Sequence, residues 1–351
     1  MMSKRIRVLI VDDSALVRQL LSQGLSQDPS LEVIGAVSDP YQARDAIMKL
    51  DPDVLTLDVE MPRMSGLEFL KRLMPQYPLP VVMVSSLTKR GARTTLDALD
   101  AGAVDFVAKP KASSPSAVSR LMQELKTKIK IASSANVSHW KGKKIAVSTN
   151  VIQRAAPTGV EAIAIGASTG GTDATRVVLE RIPRGAPPIV VVQHMPPGFT
   201  QMYAKRLNQQ CPSYVCEGEN GQELETGSVY IAPGGLQTQI CRRNGRLVLN
   251  IFEGESVQGL RPSVDVLMLS FAEVLGKHAV GTVLTGIGRD GALGLKAMRD
   301  KGARCFSQDE NTSIVFGMPR EAYANGAAER LVPIDEMAEV LLRAKVGGHD
   351  S

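Results

Sequence analysis

The sequence predicts an α/β protein of two domains, each built on a largely parallel β-sheet. Short, nearly continuous apolar runs alternate with amphipathic stretches at helical spacing, a pattern typical of parallel strands that helices cover on both faces. The alternation is interrupted once, by a Ser- and Lys-rich stretch. We therefore expect an N-terminal (βα)5 doubly wound parallel sheet over residues 5–125, a basic, Ser-rich linker over residues 126–157, and a C-terminal α/β, mostly parallel-sheet domain over residues 158–346.

The first half predicts strands and helices in strict alternation. Apolar runs predict strands over Ile6–Val11, Glu32–Val37, Val54–Asp58, Val81–Ser85 and Val104–Ala108. Apolar residues at helical spacing predict helices over Ser14–Leu25, Tyr41–Leu50, Leu67–Met74, Arg93–Ala101 and Ser116–Ile131.

The second half continues the alternation with longer interruptions. We expect strands over Glu161–Gly166, Pro188–Gln193, Ser228–Ala232, Leu247–Ile251 and Ala279–Leu284. Helices are expected over Asp173–Glu180, Thr200–Gln209, Val264–Leu275, Ala292–Lys301 and Ile334–Ala344.

The composition argues against several classes of protein. No run approaches the roughly 18 apolar residues of a spanning helix, and the start carries no signal-peptide core, so we expect no membrane insertion. The cysteines lack CxxC spacing, which argues against a zinc site or a disulfide framework and favours a reduced cytoplasm. Aromatic residues make up only 4%, too few for a base-stacking surface.

The net charge of +5 would ordinarily suggest nucleic acid as a partner. However, residues 109–155 contain ten Lys/Arg and one acidic residue, which gives that segment a charge of +9. The rest of the chain is therefore slightly acidic. The basic character belongs to the last helix of the first domain and the linker, so we do not expect nucleic acid as the main partner.

Acidic residues follow two predicted strands of the first half. Asp12 and Asp13 come directly after the first strand, and Asp58 ends the third. Because the carboxyl ends of parallel strands share one edge, these carboxylates should converge and favour a hard cation such as Mg²⁺. Ser85 and Lys109 end the fourth and fifth strands, which completes a set suited to accepting a phosphoryl group. The alternative is that the aspartates only cap helices and turns.

These strand-end residues resemble the motif set of response-regulator receiver domains over roughly residues 5–125. The resemblance implies phosphorylation of Asp58 by a histidine kinase. It also implies a Mg²⁺ site formed by Asp13, Asp58 and the backbone carbonyl of Glu60, assisted by Asp12. In the same family Ser85 would be the switch hydroxyl, Lys109 its partner lysine, and Phe106 the rotating aromatic.

A second group of chemistry-bearing residues lies in the C-terminal half. Ser168 sits in a G-x-S-x-G turn between a predicted strand and helix, which projects a nucleophile among backbone N–H groups. The alternatives are a tight turn or a phosphate-binding loop. A dinucleotide site is disfavoured because the motif has Ser168 in place of a glycine and the next strand ends in Gln193 and His194 instead of an acid. No Gly-Lys-Ser/Thr follows, which excludes a Walker loop.

His194 and Asp290 are the candidate partners of Ser168. His194 ends the strand next to the one that carries Ser168, and Asp290 follows a later apolar strand within a glycine-rich loop. The histidine would serve as general base and the aspartate would orient it. The alternatives are a structural histidine and an aspartate that caps a helix. The order Ser, His, Asp differs from that of α/β-hydrolases, so an ordinary lipase fold is not expected.

These segments together resemble the chemotaxis methylesterase family over about residues 158–345. The resemblance implies a serine hydrolase that demethylates glutamate γ-methyl esters and deamidates glutamines on methyl-accepting chemotaxis receptors. It implies that Ile287, Thr169 and Gly288 lie near the oxyanion and substrate, with Ile287 where the family commonly has Met. It also implies a cytoplasmic location at receptor arrays, a chemotaxis histidine kinase as phosphodonor, and no cofactor in this half.

Two other functions are compatible with parts of the pattern. A receiver could regulate a non-catalytic adaptor that recognises receptors or DNA, although no helix-turn-helix pattern follows the linker. It could also regulate a nucleotide-dependent enzyme, which Ser168 and the missing ribose-binding acid disfavour.

Overall fold

The structure is a computed structural model that describes residues 4–86, 88–110, 114–141 and 159–346. The chain divides into two compact units, Met1–Ala146 and Val147–Ser351.

The first unit contains a five-stranded parallel sheet in the order β2-β1-β3-β4-β5. Its strands are β1 (Ile6–Val11), β2 (Leu31–Val37), β3 (Val54–Asp58), β4 (Val81–Ser86) and β5 (Asp105–Lys109). The alternating helices are α1 (Ala15–Ser26), α2 (Pro40–Leu50), α3 (Gly66–Gln76), α4 (Lys89–Asp100) and α5 (Pro115–Ala132). The strand order reverses between β1 and β3, where the crevice of a doubly wound sheet opens. The predicted (βα)5 architecture is confirmed.

Each helix of this unit begins after a polar residue that suits an N-cap. The side chains of Ser14, Asp39, Ser65, Thr88 and Ser114 accept backbone N–H groups of the following first turn. These caps place the start of each helix near the carboxyl end of the preceding strand, where the predicted phosphoacceptor residues lie.

The last helix of the first unit agrees with the sequence expectation. Helix α5 ends at Ala132, one residue beyond the predicted end at Ile131, and Leu125, Ile129 and Ala132 are buried, so the first residues of the expected linker are helical. A short 3₁₀ turn, Ser138–Trp140, then packs the buried Trp140 ring against Gly102. Residues 142–157 of the predicted linker lie outside the described residues.

The second unit contains a seven-stranded sheet in the order β14-β13-β12-β6-β7-β9-β8, with every pair parallel. Its strands are β6 (Ala162–Ala167), β7 (Ile189–Gln193), β8 (Tyr214–Glu217), β9 (Ser228–Ile231), β12 (Ala279–Val283), β13 (Arg304–Gln308) and β14 (Leu331–Val332). The helices are α6 (Gly171–Leu179), α7 (Phe199–Gln210), α8 (Val264–Val274), α9 (Ala292–Asp300), α10 (Met318–Ala324) and α11 (Ile334–Arg343). Strands β10 (Gln237–Arg243) and β11 (Arg246–Phe252) form a separate antiparallel hairpin.

The sequence did not predict β8, β10, β13, β14 or α10. β10 is rich in Gln and Arg, and β13 contains Arg304, Ser307 and Gln308, so neither forms an apolar run. β8 and β14 are short strands at the two edges of the sheet. Pairing with neighbouring strands, which a local pattern does not record, decides these elements.

The path of the chain through the second sheet determines where its crevice lies. From β6 the chain proceeds to one side through β7, β8 and β9, and then returns to the other side of β6 with β12, β13 and β14. The strand order therefore reverses between β6 and β12. Ser168 follows β6 and Asp290 follows β12, so both lie at this switch point, where α/β sheets bind their ligands.

Candidate functional site

Ser168 lies on a tight turn between β6 and α6. Its backbone N–H donates to the carbonyl of Thr285 at 3.0 Å, and its own carbonyl accepts from the N–H of Gly171 at 2.8 Å. Gly170 has a φ of 76°, a conformation that favours glycine, which allows the chain to turn directly from strand into helix. The half-buried serine is thus presented at the carboxyl edge of the sheet, as the G-x-S-x-G pattern predicts.

His194 is placed beside this turn by strand pairing. Gln193 is in register with Ala167 across β6 and β7, and the His194 N–H donates to the Ala167 carbonyl at 3.0 Å. The His194 Nε2 lies 2.8 Å from Asp290 Oδ2. Nδ1 is therefore the ring nitrogen that remains for a proton from the serine. Within residues 159–346 the Ser168 hydroxyl forms no hydrogen bond, so the structure joins the histidine to the aspartate but does not join the serine to the histidine.

Asp290 is buried at the N-terminus of α8, and both of its carboxylate oxygens form hydrogen bonds. One carboxylate oxygen accepts from the Ser263 hydroxyl at 2.7 Å and the Asp265 N–H at 3.0 Å. The other accepts from the Val264 N–H at 2.7 Å and faces His194. Burial by itself raises the pKa of Asp290. The hydrogen bond from His194, the charge of that histidine and the backbone donors together lower the pKa by more, so it lies below its ordinary value. The carboxylate is held ionised and in one orientation.

Asp265 forms the reciprocal contact. Its Oδ1 accepts the N–H groups of Gly291 at 2.9 Å and Gly294 at 2.8 Å, at the start of α9. Asp290 thus caps α8 while Asp265 caps α9, which differs from the alternative in which Asp290 caps the helix that follows it. Burial and the nearby charge of Asp290 raise the pKa of Asp265.

Sequence reasoning assigned no role to Ser263 or Asp265. A signal was present, because a serine followed by an acidic residue ahead of an apolar run marks a helix N-terminus that attracts anions. The sequence does not show that the anion comes from Asp290, which lies 25 residues from Asp265 along the chain.

The loop after β12 lies directly against the serine. A methyl group added at Gly286 would come within 2.7 Å of Ser168 Cβ. The next residues, Ile287 and Gly288, have backbone N–H groups that form no hydrogen bond within residues 159–346, and the Ile287 side chain is 39% exposed. On the other side, Thr169 is buried and its carbonyl accepts the Thr285 hydroxyl at 2.9 Å. The loop after β12 therefore offers the backbone N–H groups of Ile287 and Gly288 to a carbonyl group bound at Ser168.

Gly286→Ala is expected to lower the rate of hydrolysis by at least about tenfold, since the added methyl would displace either Ser168 or the adjoining loop. The same change should cost about 1–3 kcal/mol of stability because Met318 also occupies that space. Ester hydrolysis and thermal unfolding would be measured together. Gly185→Ala is the matched control for hydrolysis: Gly185 also lies outside the helices and strands, has no positive φ and has open space around it, so a similar loss of activity there would contradict the steric explanation.

The first unit brings the predicted phosphoacceptor residues together. Lys109 Nζ lies 2.9 Å from both Asp12 Oδ2 and Asp58 Oδ1. The carboxylates of Asp12, Asp13 and Asp58 have oxygens that all lie within 4.8 Å of one another. Asp12 and Asp58 are buried, whereas Asp13 is exposed.

This cluster fits a hard divalent cation. Burial, followed by the neighbouring charge of Asp12, raises the pKa of Asp58 to about 6 even though Lys109 and the Glu60 N–H lower it. Three carboxylates with one lysine leave negative charge uncompensated, and oxygen ligands are those that Mg²⁺ and Ca²⁺ prefer. The cluster is therefore able to bind a metal.

Of the three predicted switch residues, Lys109 contacts the carboxylates, whereas Ser85 contacts α4 and Phe106 contacts Lys128. Ser85 is buried with its hydroxyl 3.3 Å from the Gly91 carbonyl, and it accepts from the Thr95 hydroxyl at 2.6 Å. Among the residues described in this unit, Ser85 has no hydrogen bond to Asp58. Phe106 is buried, with Lys128 Nζ 5.1 Å from its ring centroid. The structure thus has Ser85 turned towards α4 and the Phe106 ring inside the unit.

Among the described residues, no helix is long and apolar enough to cross a membrane.

Two protein families match the chain. The CheB methylesterase family matches residues 163–341, and the response regulator receiver domain matches residues 8–121. A protein-glutamate methylesterase/protein-glutamine glutaminase of Syntrophotalea carbinolica is 54% identical over 341 residues, covering 96% of this chain and 97% of that protein. A second protein of this name, from Syntrophomonas wolfei, is 47% identical and covers 97% of this chain and 98% of its own length. The crystal structure of the Thermotoga maritima CheB methylesterase catalytic domain is 34% identical, with a TM-score of 0.51, and covers 52% of this chain and 97% of that one.

Proposed function

Because the chain belongs to the CheB methylesterase family and carries a receiver domain, we propose that it is a phosphorylation-activated serine hydrolase of chemoreceptors. It demethylates glutamate γ-methyl esters, releasing methanol, and deamidates specific glutamines. The observation that carries this proposal is the convergence of Ser168, His194 and the buried Asp290 at one edge of the second sheet.

The first chemical step forms the bond from Ser168 Oγ to the ester carbonyl carbon. The proton of Ser168 passes to Nδ1 of His194, since Nε2 faces Asp290. Asp290 holds the ring in that orientation and stabilises its positive charge. The hydrogen bond between Ser168 and His194 would form when substrate binds. In many enzymes the catalytic hydrogen bonds are long without substrate and shorten only in the complex.

The tetrahedral intermediate then collapses. The bond to methoxide breaks, His194 returns the proton, and methanol leaves an acyl group on Ser168. Water, activated by the same histidine, hydrolyses this ester and restores glutamate. For a glutamine the leaving group is ammonia, and the remaining steps are the same.

Backbone N–H groups stabilise the oxyanion in this mechanism. The N–H groups of Ile287 and Gly288 come directly after Gly286, which lies against Ser168. The N–H of Thr169 comes directly after the nucleophile. Each such donor typically contributes about 2.7–4 kcal/mol to the transition state. A main-chain donor does not depend on the side chain, so Ile287 is compatible with this role.

The N-terminal domain, residues 5–125, accepts a phosphoryl group on Asp58 from a chemotaxis histidine kinase. Asp13, Asp58 and the Glu60 carbonyl would hold Mg²⁺ with help from Asp12, and the ion would supply compensation for phosphoryl charge. Lys109 contacts the same aspartate, with its Nζ 2.9 Å from Asp58 Oδ1. Ser85 turning from Gly91 towards the new phosphate, with rotation of Phe106, would carry the signal.

Residues 158–346 form the catalytic domain, joined to the receiver through the basic linker. The substrates are methyl-accepting chemotaxis receptors, and the location is the cytoplasm, at receptor arrays. The charge distribution gives nucleic acid no part in the proposal.

Methanol release from a methylated chemoreceptor fragment tests the function. We expect wild-type protein to release methanol, and release to increase when a small-molecule phosphodonor and Mg²⁺ are added. An unmethylated fragment serves as the control and should yield none. Absence of methanol from the methylated fragment under both conditions would refute the proposal.

Asp58→Asn should abolish stimulation by the phosphodonor while unstimulated release continues. The amide cannot accept the phosphoryl group, and coupling energies of about 1–3 kcal/mol predict a stimulation of roughly 5–150-fold to be lost. Asp45→Asn, at an exposed position of α2, is the matched control and should retain stimulation. Equal stimulation of wild type and Asp58→Asn would contradict the assignment of Asp58.

A further inference from the structure

The Gln193 side chain crosses from β7 to the turn that carries the nucleophile. Gln193 ends β7, is 2% exposed, and its Nε2 donates to the Ser168 carbonyl at 2.8 Å. The orientation of the amide follows from this contact, because a carbonyl oxygen there would repel that of Ser168. Gln193 therefore makes a specific contact with the nucleophile's own backbone.

The remaining amide oxygen of Gln193 is buried without a hydrogen-bond partner among the described residues. This oxygen packs directly against Gly171. A methyl group added at Gly171 would come within 2.4 Å of the oxygen and within 2.6 Å of Ala167 Cβ. An orphaned buried amide oxygen costs free energy, and an apolar side chain of similar size would avoid that cost. A role in the reaction would account for the retention of this group.

The Ser168 carbonyl is held from two directions, by the Gly171 N–H at 2.8 Å and by Gln193 at 2.8 Å. The next carbonyl, that of Thr169, is held by the Thr285 hydroxyl at 2.9 Å. Because a trans peptide is planar, fixing the Ser168 carbonyl also fixes the Thr169 N–H, which points the opposite way. The N–H after the nucleophile is an oxyanion donor in strand–turn–helix hydrolases.

We propose that Gln193 is a positioning residue for the hydrolysis, because its amide clamps the Ser168 carbonyl and thereby aims the Thr169 N–H at the developing oxyanion. One dipeptide at the end of β7 then supports both partners of the reaction. Gln193 positions the nucleophile's peptide, and His194 takes its proton. This inference rests on the proposed function.

Gln193→Met tests the clamp, since methionine has a similar length and no donor. In the full-length, phosphodonor-activated protein we expect kcat for methanol release to fall by about 10–100-fold while KM stays within about twofold, since a misaimed oxyanion donor affects the transition state alone. Gln193→Leu is a second variant, and thermal melting would establish that each remains folded. Thr175→Val is the matched control, because the Thr175 hydroxyl is buried in α6 without a partner among the described residues.

The possible results separate the two proposals. Wild-type release together with an unchanged kcat in a folded Gln193 variant would overturn the clamp and leave the proposed function intact. A proportional rise in KM with constant kcat would also overturn it, since the residue would then act in substrate binding. No methanol from wild type would overturn the proposed function and, with it, this inference.

Discussion

Ser168→Ala is expected to lower kcat for methanol release by about 10⁴–10⁶-fold, leaving only what the oxyanion donors and substrate binding contribute. The alanine cannot form the acyl intermediate, and His194 has no group to deprotonate. The fold should be retained, because the Ser168 hydroxyl forms no hydrogen bond within residues 159–346, so thermal unfolding should shift little. Binding of the methylated receptor fragment should persist.

The control for Ser168→Ala is Ser213→Ala. Ser213 is buried in the second unit, and its hydroxyl, like that of Ser168, has no partner among the described residues. This variant should keep the wild-type rate. If Ser168→Ala retained more than a few per cent of the wild-type rate, Ser168 would not be the nucleophile. If wild type itself were inactive, a non-catalytic adaptor would be favoured.

Asp290→Asn is expected to lower kcat by roughly 10³–10⁴-fold, with a smaller change in KM. The two oxygens of Asp290 have four partners, and three of these, the Ser263 hydroxyl and the backbone N–H groups of Val264 and Asp265, donate to them. The amide nitrogen of an asparagine cannot accept any of these hydrogen bonds. The His194 ring would lose both its orientation and the charge that stabilises its cation. Asp290→Asn thus tests the residue of the site that has the most hydrogen bonds in the structure.

Stability should fall as well in Asp290→Asn, by about 1–3 kcal/mol, because a buried donor is left opposite the amide nitrogen. The pKa of Asp290 is lower in the folded protein than its ordinary value of 3.8, so its ionised form contributes stability that is present above about pH 4 and is lost as the pH falls further. The difference in unfolding free energy from wild type should shrink in acid. Asp300→Asn, at an exposed site in α9, is the control and should alter neither quantity appreciably.

Much of the fold could be predicted because strand–helix alternation is a local property. Apolar runs of the right length gave β1, β3 and β7 to within a residue or two, and helical spacing gave the helices between them. The prediction failed for β10 and β13, whose residues are polar but become ordered by pairing with β11 and β12. Helical spacing also gave α5 to within one residue at each end, whereas the burial of Ile129 and Ala132 depends on contacts that this spacing alone does not reveal.

The sequence by itself determined which residues stand at strand ends: Asp12 and Asp58 in the first unit, Ser168 and His194 in the second. Once the strands are parallel, their carboxyl ends must share an edge, so the chemistry of both sites follows from local pattern and topology. Only the tertiary structure decided that Asp290 binds the N-terminus of α8, that Asp265 binds that of α9, and that Gln193 reaches the Ser168 carbonyl. These contacts join residues about 25 or more positions apart. Their geometry depends on strand register and helix packing, which the local spacing of residues does not encode.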